Sequence, residues 1–194
     1  MSRNNLGERI TVVSAAEELV PDYDPAWRSE FADLGRELRQ ALGEAALRID
    51  HIGSTSVPGL PAKPIVDVQI SVASLEPVDR YRAAIESCGF EWQADNPELT
   101  KRYFRELPPR KRTHLHVRRS GSFDEQFALL FRDYLRAHRE RADAYAAIKR
   151  SVAHLLLTER SAYVDAKSPF IWETIRDADE WAQETGWEPG PTDA

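Results

Sequence analysis

Cysteine is almost missing from this chain: Cys88 is the single one among 194 residues. That excludes an intrachain disulfide and any zinc site built from several thiolates. Long apolar runs are missing too. The most apolar stretch, Ile65–Val72, is interrupted by Asp67 and Gln69, and falls far short of the roughly 18 residues a membrane-crossing helix needs. The opening MSRNNLGERI lacks the apolar core of a secretory signal. These absences predict a cytoplasmic protein in a reducing compartment, with no membrane partner.

Nor is there an excess of positive charge. Lys and Arg number 26 against 32 Asp and Glu, a net of −6, so the chain as a whole carries no strong nucleic-acid signal. The bases are clustered, however. Between Lys101 and Arg119 stand Lys101, Arg102, Arg105, Arg110, Lys111, Arg112, Arg118 and Arg119, opposed only by Glu106. Such a segment either attracts a phosphorylated ligand or forms a solvated charged hairpin. With 42% hydrophobic and 30% charged residues, the composition is that of an ordinary folded domain.

Periodicity predicts the elements. Asp24 as cap and Pro25 as first position open a helix carrying Trp27, Phe31, Leu34, Leu38 and Leu42, stopped by Gly43. Strands are expected at Leu47–Ile52, Pro64–Val72, Phe90–Gln93, Arg102–Leu107 and Thr113–Arg119, with a possible edge strand at Ile10–Val13. A helix from Ser74 carries Val78, Tyr81, Ile85 and Cys88. Three more follow: one from a Ser122/Glu125 capping box, one over Arg139–Leu157, and one starting at Ser168-Pro169. The order predicts an α+β fold with a mixed sheet flanked by helices and a helical C-terminal half. Residues 1–20 are expected as an N-terminal segment, 21–186 as one domain and 187–194 as a flexible tail.

Period two on the strand Pro64–Val72 turns Val66, Val68, Ile70 and Val72 to one face, and Ile65, Asp67, Gln69 and Ser71 to the other. A carboxylate in such a strand is costly unless it faces water, a partner or a metal. The loop Gly53-Ser54-Thr55-Ser56 precedes it. Glycine lets a phosphate approach the main chain closely, and serine and threonine add hydroxyl donors. On Thr113–Arg119, His114 and His116 share the face opposite Leu115 and Val117. They are candidate ligands beside Asp67, and the same pattern also fits an exposed basic strand face. His51 is a candidate third imidazole or phosphate donor. Lys63, Lys101, Arg102, Arg105, Lys149 and Lys167 are candidate phosphate partners, with Tyr145 four residues from Lys149 on one helical face.

Ile52-Gly53-Ser54 followed by Asp67-Val68-Gln69-Ile70 resembles the nucleotidyltransferase superfamily pattern, in which a Gly-[Gly/Ser] turn precedes two acids on a strand. More specifically, His51–Leu60, Ala62–Asp67, His114–Val117 and Phe131–Arg136 resemble the GrpB family, and the similarity extends through Tyr145, Lys149, Tyr163 and Lys167. The resemblance implies a nucleotidyltransferase-like fold and a nucleotide or other phosphorylated ligand. It also implies a divalent metal, Mg²⁺ or Mn²⁺, or a transition metal if the histidines are ligands. It casts Asp67, Gln69, His114 and His116 as catalytic and metal-binding residues. Gln69 departs from the superfamily pattern, where a second acid is expected. That leaves two alternatives open: a catalytically degenerate nucleotide- or anion-binding module, or a pocket adapted to other histidine- or metal-assisted chemistry. The acceptor and the oligomeric state are not specified by the sequence.

Overall fold

A computed structural model describes residues 18–194; the possible edge strand at Ile10–Val13 lies outside them. Helix α1 (Ala26–Leu42) begins where Asp24 accepts the Ala26 N–H at 2.8 Å. Its apolar stripe of Trp27, Phe31, Leu34, Leu38 and Leu42 is buried as the spacing requires. Strands β1 (Arg48–Ile52) and β2 (Val66–Val72) follow, and then the short helix α2 (Arg82–Ser87). Strands β3 (Phe90–Trp92), β4 (Lys101–Glu106) and β5 (Thr113–Arg119) complete a five-stranded sheet of order β1-β2-β5-β4-β3. Only β2 and β5 run parallel; the other neighbours are antiparallel. Helices α3 (Phe123–Ala137), α4 (Arg139–Ser151) and α5 (Arg160–Thr185) form the remaining layer.

The register assigns each strand residue to a face. His51 pairs with Val68, which pairs with Leu115, which pairs with Phe104. This face packs Val66, Val68, Ile70, Leu115 and Val117 against Phe31, Leu34 and Leu38 of α1 and Ile85 of α2, forming the main core. On the other face Ile52 pairs with Asp67, Asp67 with His114 and Gln69 with His116. Helix α3 covers that polar face, and Leu135 joins Val57, Leu60, Tyr145 and Ala146 in a second, smaller apolar cluster.

Several element boundaries differ from expectation. The segment after Ser74 winds as a 3₁₀ turn, Val78–Arg80, before α2 starts. Helix α4 stops at Ser151, and Ala153–Leu157 continues as 3₁₀. The Ser122/Glu125 capping box does not close: the Glu125 carboxylate accepts the Gly121 N–H at 2.6 Å, and the Ser122 hydroxyl has no partner among the described residues. The last helix starts at Arg160, not at Ser168, and runs through Pro169. Proline removes one backbone donor. Pro169 is exposed, so the freed carbonyl is on a side where water can solvate it. Gly186, in the left-handed conformation at φ 66°, ends the helix with its N–H on the Ala182 carbonyl.

Residues 187–194 do not hang free. The Thr192 hydroxyl accepts the Ile49 N–H at 2.9 Å, the Asp193 carboxylate accepts the His51 N–H at 2.9 Å, and the Ala194 N–H donates to the Ile49 carbonyl at 3.1 Å. Strand β1 is a sheet edge with unpaired backbone groups, and these contacts satisfy them.

Candidate functional site

The site is assembled at the turn between β1 and β2. Gly53 leaves β1 at φ +70°, a conformation that L side chains rarely adopt. A Cβ there would also lie 2.6 Å from Asp67 Oδ2, so only glycine fits beside that carboxylate. The turn is clamped on every side. The Ser56 hydroxyl donates to the Gly53 carbonyl at 2.6 Å, the Thr55 hydroxyl donates to the Ile65 carbonyl at 3.2 Å, and Arg136 Nε donates to the Ser56 carbonyl at 3.0 Å. Val57 and Leu60 then anchor its far end in the smaller cluster.

Asp67 links this turn to the histidines. Its Oδ1 accepts from His114 Nδ1 at 3.1 Å and from His116 Nε2 at 3.3 Å. Parallel pairing of β2 with β5 brings the three together, because residues on one face of neighbouring strands are adjacent. Burial pushes the Asp67 carboxyl up, but the two imidazole hydrogen bonds and their charge outweigh it and hold it well below the usual range. Burial lowers the His116 imidazole against the pull of Asp67.

One donor atom from each of Asp67, His114 and His116 lies within 4.8 Å of the other two. A first-row metal with ligands at about 2.0–2.2 Å needs donors roughly 3.0–3.4 Å apart; the two Asp67–histidine spacings, 3.1 and 3.3 Å, lie in that range, and all three donors lie within 4.8 Å of one another. The second ring nitrogens, His114 Nε2 and His116 Nδ1, are buried without a partner among the described residues.

Asp67 and His114 open on a cavity of about 260 Å³ whose other polar walls are Ser54, Thr55, Lys63, Tyr145, Lys149 and Lys167. Asp67 is the only carboxylate among the lining residues. Tyr163 stands between two ammonium groups, with Lys167 Nζ 4.1 Å and Lys63 Nζ 5.2 Å from its ring centre. Lys149 is buried; it donates to the Pro61 carbonyl and lies 4.8 Å from the Tyr145 ring centre. Burial, reinforced by the charges of Lys167 and Arg150, lowers its pKa to about 7. Tyr145 is pushed far up by burial and hydrogen-bonded to the Ser54 side chain. It belongs to the apolar stripe and also lines the cavity.

Thus Gly53, Ser54, Thr55, Lys63, Asp67, His114, Tyr145 and Lys149 converge on one space, with His116 joined through Asp67. Others do not. Gln69 is fully buried: its amide donates to the Glu125 carbonyl at 3.3 Å and its oxygen accepts from Arg118 at 3.3 Å, which fixes the start of α3. It therefore shares the cluster's face of the sheet, paired with His116, but is tied to Glu125 and Arg118 and is not one of the clustered donors. His51 lies on the opposite face, stacked on Phe31 at 4.8 Å, because it pairs with Val68 and not with Asp67. Ser56 lines a different cavity and closes the turn. Arg102 also falls on the α1 face, paired with Val117, and bonds Glu76 at 2.6 Å. Lys101 and Arg105 share the histidine face of β4, but neither lines the cavity; Lys101 binds Glu98 at 2.5 Å and Arg105 lies 3.8 Å from Glu106.

Lys167, a candidate phosphate partner from the sequence, lines the cavity, and so does Tyr163, which the sequence did not assign to it. Starting the last helix at Ser168 leaves both in a connecting segment, whereas the continuous α5 sets them four apart on one face.

The sheet order, the flanking helices and the Gly-Ser turn beside Asp67 define a nucleotidyltransferase-like fold. The family model described as GrpB protein matches residues 18–177, and the chain belongs to the GrpB family. The solved structure of the conserved protein GrpB from Enterococcus faecalis aligns with a TM-score of 0.74 at 33% identity, over 84% of this chain and 99% of that one. The UPF0157 protein BH1888 of Halalkalibacterium halodurans is 35% identical over 158 residues, 81% of this chain and 80% of its own. A protein of Mycobacterium leprae named dephospho-CoA kinase is 32% identical over 211 residues, covering 94% of this chain but 51% of its own. The chain therefore spans about half the length of the dephospho-CoA kinases it matches. Among the described residues, no helix is long and apolar enough to cross a membrane.

Proposed function

We propose that the chain is a metal-dependent, nucleotidyltransferase-like protein that takes a nucleotide or another phosphorylated ligand in the Asp67 cavity. The observation that carries this reading is the meeting of Asp67, His114 and His116 at a cavity whose cations are Lys63, Lys149 and Lys167. The likeness to proteins named dephospho-CoA kinase supports a nucleotide-related ligand; the kinase activity itself is not carried over from proteins twice the length.

Asp67, His114 and His116 would hold a divalent ion, which when bound supplies a Lewis acid for a phosphate oxygen. Two imidazoles and one carboxylate suit Mn²⁺, Fe²⁺ or Zn²⁺ better than Mg²⁺, which prefers oxygen ligands. Lys63 and Lys167 offer positive charge that Tyr163 keeps in place. Gly53 brings main chain close to the ligand, Ser54 adds a hydroxyl, and Lys149, which titrates near neutrality, contributes hydrogen-bond donors more than fixed charge.

A second reading rests on Gln69. Without a second acid on β2, the same site binds the phosphorylated ligand and does not turn it over. The two separate in one experiment. Purified protein is analysed for metal, then supplied with Mn²⁺, Zn²⁺ or Mg²⁺ and nucleoside triphosphates while pyrophosphate release is followed. The expected result is a retained transition metal that His114→Ala releases, and triphosphate consumption that Asp67→Ala abolishes. Triphosphate binding without consumption, lost in Lys63→Ala, supports the binding module. Neither metal retention nor triphosphate binding would overturn both readings.

A further inference from the structure

Behind the Ser54–Ser56 turn, on the α1 side of the sheet, lies a larger cavity of about 440 Å³. Thr55 lines both cavities, so the turn is the partition between them. Three rings, those of Tyr23, Phe31 and His51, form one part of the wall, and the guanidinium groups of Arg28 and Arg136 another. His51 and Phe31 are nearly coplanar stacks, 7° apart. Burial and the charge of Arg136 lower the His51 pKa to about 3, and its Nε2 lies 3.0 Å from the Thr55 hydroxyl.

Among the described residues the wall of this cavity carries two arginines, Arg28 and Arg136, against one carboxylate. The one carboxylate on its wall, Asp193, is already engaged by Arg132 and the His51 N–H, each at 2.9 Å. Asp133, 3.5 Å from Arg136, makes its closer contact, 2.7 Å, with Arg132. Arg136 is thus left beside a second cation, and burial together with that repulsion lowers its pKa. Arg28 is exposed at the mouth. A space bounded by flat rings and two incompletely neutralised guanidinium groups is complementary to an anion carrying a ring.

We infer that this cavity is a second ligand site, distinct from the Asp67 cavity, for a small anion joined to a flat ring, the chemistry that nucleoside monophosphates and aromatic carboxylates share. The ring lies against the Tyr23, Phe31 and His51 wall, and the anion is held by Arg28 and Arg136. Because Thr55 and Ser56 form its floor, an occupant bears directly on the turn that sets Gly53 and Ser54 in the neighbouring cavity.

Isothermal titration of the full chain with AMP, benzoate, ribose 5-phosphate and inorganic phosphate tests this. One or both ring-bearing anions should bind, and the ring-free ones should bind at least about tenfold more weakly. Binding by AMP alone assigns a nucleotide, and binding by benzoate alone a carboxylate. Arg28→Ala and Ala32→Trp, both at exposed positions of the cavity rim, should weaken the titration by about tenfold or more, with circular dichroism unchanged. Loss of binding in Lys167→Ala with none in Ala32→Trp would place the ligand in the Asp67 cavity and overturn the proposal. So would the failure of both ring-bearing anions to bind at millimolar concentration.

Discussion

The two faces of the sheet are built from the same strands by opposite chemistry. On β5, Leu115 and Val117 are fully buried against the α1 and α2 side, while His114, His116 and Arg118 alternate with them toward α3. The first face needs only volume and shape, and its residues are interchangeable hydrophobes. The second must satisfy every polar group it buries. Asp50 is fully buried, with two hydrogen bonds from Arg48 at 2.8 and 3.0 Å and Arg132 at 3.7 Å. Burial raises its pKa against those cations. The apolar face holds the fold, and the polar face spends part of that stability on placing charges. Among the described residues, buried polar atoms left without a partner, such as Ser71 Oγ, Arg118 Nε, His114 Nε2 and His116 Nδ1, are concentrated on the second face.

The largest effect should come from the charge network. Arg132 is 3% exposed and binds Asp133, Asp193 and the His51 carbonyl. Arg132→Met should cost about 3–5 kcal/mol, since it removes the buried cation that Asp50, Asp133 and Asp193 share, and urea denaturation measures it. Next, adjacent residues of β5 test the two faces directly. Leu115→Ala should cost about 2–5 kcal/mol by emptying the core. His114→Ala should cost about 1 kcal/mol, one hydrogen bond, yet abolish metal retention measured by elemental analysis. Equal losses of stability for the two would break the distinction between the faces.

How much of this was readable beforehand follows the same division. Period two alone separated Val66, Val68 and Ile70 from Asp67, and Leu115 from His114, and that alternation puts Asp67, His114 and His116 on one face, as the strand pairing has them. Strand register was not readable. His51 and Arg102 fall on the wrong face because pairing with Val68 and Val117 is a tertiary fact. Gln69 points the right way, but its neighbour Glu125 comes from a helix distant in sequence. Pro169 marks a helix start in local rules, and tertiary packing overrides it, which hid the placement of Tyr163 and Lys167 four apart on one helical face. The docking of residues 187–194 depends on the edge of β1, which composition cannot reveal.

A smaller effect, of opposite sign, should come from Lys149. Its pKa falls from 10.5 in an exposed chain to about 7 in the fold, so the folded state disfavours the charged amine. The penalty is absent above pH 10.5, grows as pH falls toward 7, and is then constant, at most roughly 5 kcal/mol. Wild-type stability should therefore rise between pH 7 and pH 10 through this group. Lys149→Met should remove that rise and stabilise the protein at pH 7 by about 1–3 kcal/mol, after loss of the hydrogen bond to Pro61. Thermal melts of both proteins across that range are the check. A variant less stable than wild type at pH 7 would mean that the buried amine is better solvated than its surroundings imply.

A comparably small effect sharpens the comparison most, because it asks whether the polar face can be returned to the superfamily pattern. Gln69→Glu restores an acid two residues after Asp67. In this fold the new carboxylate would meet Arg118, which favours it, but it would lose the donation to the Glu125 carbonyl, face that carbonyl oxygen instead, and sit fully buried. The expected outcome is a loss of about 1–2 kcal/mol in urea denaturation, with the bound-metal content unchanged. A second metal ion per chain, with pyrophosphate release rising above wild type, would show that Gln69 can swing into the cavity. The packing of Gln69 between α3 and Arg118 would then be a local choice of the glutamine side chain and not a property of the fold.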